Sequence, residues 1–529
     1  MQLATGALRF FADNFQIHSA ALFVFLAPVA LVYFTLARRL ALQWALLLCV
    51  SVVFCGVNGG AAALLLLAPV AVTYAGALWH AAARSRGART AARLLAAAVV
   101  VFDVAFLVCF KELNFFVRLY DAVAARAGLP LLGDVRLPSP LGLSYISLML
   151  VGYFLDCAWG ICPVQKNPLK FCAWAVFFPL VTSGPIARYS GLCGSLFSRR
   201  RFDYESFCAG AQRILWGFLK KLVVADRLAL LVSVSYDSPG LSGLPVLLGL
   251  FLFALQLYFD FSACMDIVLG LGWCFGIRLP ENFMQPFFSE SLTEMWRRWH
   301  ATLGSWARDY ILYPMLKSRA VQSLSRSLGA RLGKRNFWAR NVPTWCGTFV
   351  VWFCMGFWHG GSWNCIFGSG LFFFALITAG HIAAHALERS PAAALVAGGR
   401  DDGWAWARRL RTSLLFAACV SFVRAPSLGA GFGLWRRALS PMRVPFFRAF
   451  GGSGFSGGDF WVLLLFVSLV FFVERVQAKA ADESAFRTLL SGRSVAVRWA
   501  FFLLLVVSVA VFGMYGPAFD ARGFIYGGF

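Results

Sequence analysis

The chain holds six histidines in 529 residues, and two of them keep unusual company. His300 lies in the run TEMWRRWHATLGSWARDYILYP (293–314), and His359 lies in MGFWHGGSW (355–363). Both runs interrupt an otherwise apolar chain. Ionisable groups at membrane depth are costly unless they are paired or used, so their presence is itself a functional expectation. A neutral imidazole, with an unperturbed pKa of about 6.5, is a natural general base in a dry, narrow passage. Gly360 and Gly361 follow His359 and let backbone or substrate approach closely. A histidine between two membrane segments can equally be a buried hydrogen-bonding residue, and both readings are open at this level. His381 and His385 stand four apart, a spacing that can bind metal, but no third ligand is evident nearby and no metal centre is expected.

The elements that must position these groups begin at Gln256, where polar residues enter an apolar run, and extend to Trp363. Asp260 and Asp266 are six apart and point in different directions on a helix. Each either pairs with a nearby arginine such as Arg278 or forms a wall of a polar chamber. The segment GIRLPENFMQPF (276–287) carries Pro280 and Pro286, which forbid a continuous helix. Irregular backbone at this depth must be covered by protein or face a water-filled cavity. A helix is expected to start at Ser291, where Ser-Leu-Thr-Glu fits a capping box closed by Glu294. Along it Trp296, Trp299, Leu303, Trp306 and Tyr310 recur as an apolar stripe, with Arg297, Gly304 and Arg308 on a neighbouring face. On one continuous helix His300 falls at the edge between the two. Such a helix could offer imidazole and guanidinium to an anion, or serve as an interfacial anchor with an incidental histidine.

Composition fixes the setting. Hydrophobic residues make up 60% of the chain and charged residues 14%, with a mean hydropathy of +0.71. A soluble protein carries roughly a quarter charged residues, so an all-α polytopic membrane protein is expected. Apolar runs long enough to span the hydrocarbon number about eleven, with 171–187 and 412–424 expected to be re-entrant or partly inserted. The net charge of +24 reads as basic cytoplasmic loops and not as nucleic-acid binding. Arg38, Arg39 and the run Arg84–Arg93 then lie in the cytoplasm, with the N-terminus and the turn at 56–60 outside. Lys317 to Arg340 holds seven basic residues and no acidic one, the best candidate for a large cytoplasmic loop; it could touch lipid headgroups or an acidic carrier. Residues 1–19 suggest an amphipathic surface helix. The fourteen cysteines are scattered without a C-x-x-C pair and read as small buried hydrophobes. The stretch 389–403 reads as a surface linker, and the whole of 1–529 as one membrane domain with 256–363 as its core segment.

With these motifs in hand, the chain resembles the membrane-bound O-acyltransferase superfamily in its bacterial alginate O-acetylation branch. The resemblance rests on FDFSACMDIVLGLG (259–272), PENF (280–283), the run at 293–314 and GFWHGGSW (356–363). FKELNFF (110–116), FFPLVTSGPIARY (177–189), GFLKKLVVADRLA (217–229) and the tail FIYGGF (524–529) add to it, in the family's order. The chain departs from the pattern at Ala263-Cys264-Met265 and at Met315-Leu316-Lys317.

The resemblance implies a ring of helices with re-entrant or interfacial helices around a central funnel, with His359 at its narrow point and His300 toward the cytoplasm. It implies acyl transfer from a thioester, acetyl-CoA above all, to an exported or envelope polysaccharide. An extracytoplasmic acyltransferase partner would complete the transfer, in a multi-pass protein of the inner (cytoplasmic) membrane. His359 and His300 are then the catalytic candidates, and Arg297, Arg308, Asp260, Asp266, Trp358 and Asn282 the candidates for binding donor or substrate. D-Alanyl transfer from a carrier-protein thioester to a teichoic-acid-like acceptor is the rival within the family. A multi-pass transporter without chemistry is the rival outside it, although no duplicated halves are apparent.

Overall fold

The computed structural model describes residues 20–36, 39–388, 403–451, 454–479 and 492–514, with Ser390 and Ala394. The expected surface segment 1–19, most of the linker 389–403 and the tail 524–529 lie outside the described residues. Every regular element among the described residues is helical. Two compact units partition the chain: Met1–Gly217 with Cys264–Glu281, and Phe218–Ala263 with Asn282–Phe529.

Five helical stretches among the described residues are long and apolar enough to cross a membrane: Leu40–Ser85, Arg89–Ala127, Leu244–Cys274, Trp363–Ala386 and Val495–Phe512. The first is 46 residues long. At about 1.5 Å per residue it would reach more than twice the thickness of the hydrocarbon. It divides into Leu40–Gly59 and Leu67–Ser85 through a 3₁₀ link that opens at Gly60, whose φ of 53° suits a residue without Cβ. Leu244–Cys274 is a single 31-residue helix, resolving whether 243–275 is one long element or two short ones. The run 171–187 is not a spanning helix. It is broken into Pro168–Ala175 and Phe178–Val181. The basic stretch after Lys317 is not an open loop: Arg319–Leu332 is helical, capped by the Ser318 side chain, and buries Val321 alone.

In the first unit, Tyr204–Phe218 lies backbone to backbone against the end of Leu244–Cys274. A Cβ on Gly270 would stand 2.6 Å from the Gly210 carbonyl oxygen. In the second unit the helical run from Tyr204 continues through a π-helical stretch, Leu219–Ala225, into Asp226–Asp237. That widened turn buries two successive lysines, Lys220 and Lys221.

Candidate active site

His300 is not on a continuous helix. The chain forms Leu292–Arg298, leaves helical geometry at Trp299, turns through His300 at φ 44° and ψ 49°, and resumes as Ala301–Ala307. The single helix expected from Ser291, with its stripe from Trp296 to Tyr310, is therefore corrected to Leu292–Arg298 and Ala301–Ala307 with the histidine at the break, the second continuing through the π-helical stretch Arg308–Leu312. A left-handed conformation costs a non-glycine residue about 1–2 kcal/mol, and histidine is among the side chains that tolerate it best. Such strain persists only where the surroundings over-determine it, and it gathers at functional sites.

The surroundings here are a backbone clamp built by the proline-broken segment. The Ala301 N–H donates to the Asn282 carbonyl at 3.0 Å, and the Met284 N–H donates to the Arg298 carbonyl at 2.9 Å. Asn282 is fully buried. Its Oδ1 accepts from the Thr302 N–H at 3.2 Å and from the Thr302 hydroxyl at 2.9 Å, and lies 3.0 Å from His300 Nδ1. An amide N–H can only donate, so the atom facing it must be the oxygen of Asn282. His300 Nδ1 must then carry the proton, which leaves Nε2 as the ring's acceptor. Burial, and secondarily the neighbouring His359, holds the His300 pKa well below its usual value, so the ring is neutral. In that state it offers a lone pair and no second donor. A role in stabilising negative charge would require a further proton.

His359 closes the 22-residue helix Phe337–Trp358 and is itself buried. The Trp358 indole stands 4.9 Å from the His359 ring and 6.3 Å from that of His300, between centroids. The two imidazoles thus share one aromatic wall, and the positive charge of one disfavours that of the other. Gly356 explains the approach: a Cβ there would lie 2.8 Å from Ile366 Cα, so the chain after His359 folds back onto its own helix. The Phe261 ring also meets the His300 imidazole edge to face at 4.9 Å.

Ion pairs hold this arrangement. Lys221 Nζ reaches Asp260 at 2.7 Å and Asp226 at 3.0 Å, all three buried, and so fixes the helix position next to Phe261. Ser291 caps its helix as expected, its hydroxyl accepting from the Glu294 N–H at 3.2 Å. Glu294 answers one residue earlier than a capping box requires, at the Glu290 N–H, 2.9 Å away. The Glu290 side chain in turn meets fully buried Arg408 at 2.8 Å, and its carbonyl accepts from Arg411 at 2.7 Å. The helix before His300 is thereby tied to Ala405–Val420.

Of the residues expected from sequence, the structure brings His300, His359, Trp358 and Asn282 together. Asp260 is committed to Lys221. Asp266 belongs to the first unit and pairs with Arg213 at 3.0 Å, and Arg213 also pairs with Glu281 at 2.5 Å. Arg278 takes neither aspartate and lies over the Trp273 ring instead. Arg297 is exposed, and Arg308, also exposed, pairs with its neighbour Asp309 at 2.9 Å. The expected basic face beside His300 therefore dissolves with the helix break. Thr302, Phe261, Lys221 and Glu290 were not singled out from sequence. The paired lysines inside an apolar run were the one available signal.

Comparison with known proteins places a family likeness on part of this chain. Residues 164–332 match the model of the MBOAT, membrane-bound O-acyltransferase family, a stretch that includes Asn282 and His300. The chain is 33% identical over 263 residues to the probable alginate O-acetylase AlgI of Pseudomonas syringae pv. tomato, covering 49% of each chain. It is 26% identical over 294 residues to a peptidoglycan O-acetyltransferase of Helicobacter pylori, covering 50% of this chain and 51% of that one. It is 30% identical over 250 residues to a teichoic acid D-alanyltransferase of Streptococcus thermophilus, covering 44% and 55%. The chain spans about half the length of the curated relatives it matches. Residues 164–332 are thus similar to the membrane-bound O-acyltransferase family, and the likeness to curated proteins runs to probable alginate O-acetylases.

Proposed function

We propose that the chain is a membrane O-acetyltransferase that draws an acetyl group from a cytoplasmic thioester, acetyl-CoA, and passes it toward an extracytoplasmic polysaccharide. The observation that carries this reading is the pair of buried imidazoles sharing Trp358, one of them locked in a single tautomer by Asn282. Alginate-type O-acetylation is favoured by the relatives' names, which also include an acetyltransferase of another envelope glycan.

In this reading His359 takes the proton of the acceptor hydroxyl as its oxygen bonds to the thioester carbonyl carbon. The carbon–sulfur bond then breaks, and the proton passes to the leaving thiolate. His300 presents Nε2 as an acceptor for a second, neighbouring hydroxyl of the acceptor and so orients it, leaving the reacting O–H proton to His359. The apolar enclosure keeps bulk water from hydrolysing the thioester. Both histidines belong along one funnel, and an extracytoplasmic acyltransferase receives the acetyl group if the polysaccharide is not acetylated directly. The test is transfer of labelled acetyl from acetyl-CoA by the purified full chain. An intact thioester after incubation with acceptor would refute the reading and return the transporter alternative.

A further inference from the structure

The first unit contains a cavity of about 340 Å³ whose lining includes Arg199, Arg200, Arg201 and Arg278, with Asp203 and Trp273. Four guanidiniums thus share the wall with one carboxylate. That carboxylate is already engaged: its oxygens accept from the Glu205 and Ser206 N–H groups, each at 3.3 Å, at the start of Tyr204–Phe218. Two of the arginines are held by partners that order them without neutralising them. Arg200 donates from Nε to the Ser195 carbonyl at 3.2 Å. Its backbone is clamped by Gln43, which accepts from the Arg200 N–H at 3.2 Å and donates to its carbonyl at 2.8 Å. Gly276, at φ +72°, leaves room for this side chain, since a Cβ there would stand 3.3 Å from Arg200 Cδ. Arg278 lies 4.6 Å over the Trp273 ring, which also supports Arg213 at 4.8 Å. Arg213 shows the contrast: it is neutralised by Asp266 and Glu281.

Ordered guanidiniums with an excess of positive charge are built to meet an anion, and their forked donors suit phosphate oxygens. The membrane side is legible too. Gln43 stands in the first turn of Leu40–Gly59, directly after Arg38 and Arg39, and basic residues flanking a span mark the cytoplasmic face. We infer that this cavity is a recognition site for a phosphate-bearing anion at the cytoplasmic end of the first unit. Two sources carry that chemistry there: the nucleotide phosphates of a soluble thioester donor, and the headgroup of an anionic phospholipid. The inference stands on the cavity and does not depend on the acyl-transfer reading.

The experiment uses the full chain in detergent and two probes. Adenosine 3′,5′-bisphosphate is titrated by calorimetry at low and high salt, and retention of phosphatidylglycerol against phosphatidylcholine is followed by native mass spectrometry. Arg200→Gln and Arg278→Gln are each expected to weaken the favoured probe about tenfold, the size of a charge-assisted contact. Arg201→Gln, at an exposed residue, keeps the test valid if the other variants fail to fold, with an expected loss of roughly threefold because solvent screens it. Loss confined to the nucleotide assigns the site to the donor, and loss confined to phosphatidylglycerol assigns it to lipid. The inference is overturned if the wild type binds neither probe, or if the three variants bind both as the wild type does. A wild type that binds the nucleotide and transfers no acetyl group would refute the proposed function and leave this site standing.

Discussion

Replacing Asn282 with leucine tests the logic of the site most directly. Asn282 Oδ1 serves Thr302 N–H, the Thr302 hydroxyl and His300 Nδ1, at 3.2, 2.9 and 3.0 Å. Leucine keeps the approximate volume and removes the acceptor from all of them. The imidazole then loses the bond that selects its tautomer and holds its plane. A buried hydrogen bond of this kind contributes about 1.5 kcal/mol, and leaving its donor unsatisfied costs about 1–3 kcal/mol. At 1.36 kcal/mol per decade, kcat should fall about 10- to 100-fold. Acetyl transfer from labelled acetyl-CoA is the assay, read beside the amount of folded protein in the membrane. Asn282→Asp is the discriminating companion. A carboxylate accepts the same bonds, so the tautomer is retained, but its charge favours the imidazolium. The folded His300 pKa would rise from its depressed value, the neutral form would be lost at a higher pH than in the wild type, and the acid limb of the pH–rate profile should move upward. An Asn282→Leu protein with the wild-type kcat, or an Asn282→Asp protein whose acid limb stays in place, would refute the assignment of His300.

His359→Ala should lower acetyl transfer by about 10²–10⁴-fold with unchanged membrane abundance, the range for loss of a general base; retained transfer in purified protein would exclude that role. Glu290→Ala removes the carboxylate from fully buried Arg408, a change worth about 3–5 kcal/mol of stability, so the folded yield and the detergent melting temperature should both fall. If neither moves, the tie to Ala405–Val420 is not structural. Gly356→Val places atoms within the space of Ile366 Cα and should destabilise by about 1–3 kcal/mol while displacing His359; Gly380→Ala, where a Cβ meets nothing within 4 Å, is the comparison that should not lower the melting temperature. Lys221→Met leaves Asp226 and Asp260 buried without their shared cation, and Asp260→Asn in the same chain should recover part of the lost folded yield.

The chemistry-bearing types were visible because they are rare in this chain: an imidazole or a proline-broken PENF stands out against a 60% hydrophobic background. The Ser291 cap was readable because it depends on residues three apart. The helix break at His300 was not. Local periodicity across Trp296, Trp299 and Leu303 argues for one helix, and what overrides it is the clamp from Asn282 and Met284, more than a dozen residues away. The partners of the two aspartates were out of reach for the same reason, since Lys221 and Arg213 lie tens of residues from them along the chain.

Composition and hydropathy alone determined that this is a helical membrane chain, because the bilayer forces backbone polar groups to be satisfied within each segment. Motif content alone pointed to acyl transfer and to the two histidines. Only the tertiary structure decided that His300 is strained, neutral and single-tautomered, that Trp358 joins it to His359, and that Arg297 and Arg308 are exposed while the histidines are buried. Those properties come from hydrogen bonds and ring contacts between segments distant in sequence, and no local pattern encodes a distance between two such segments.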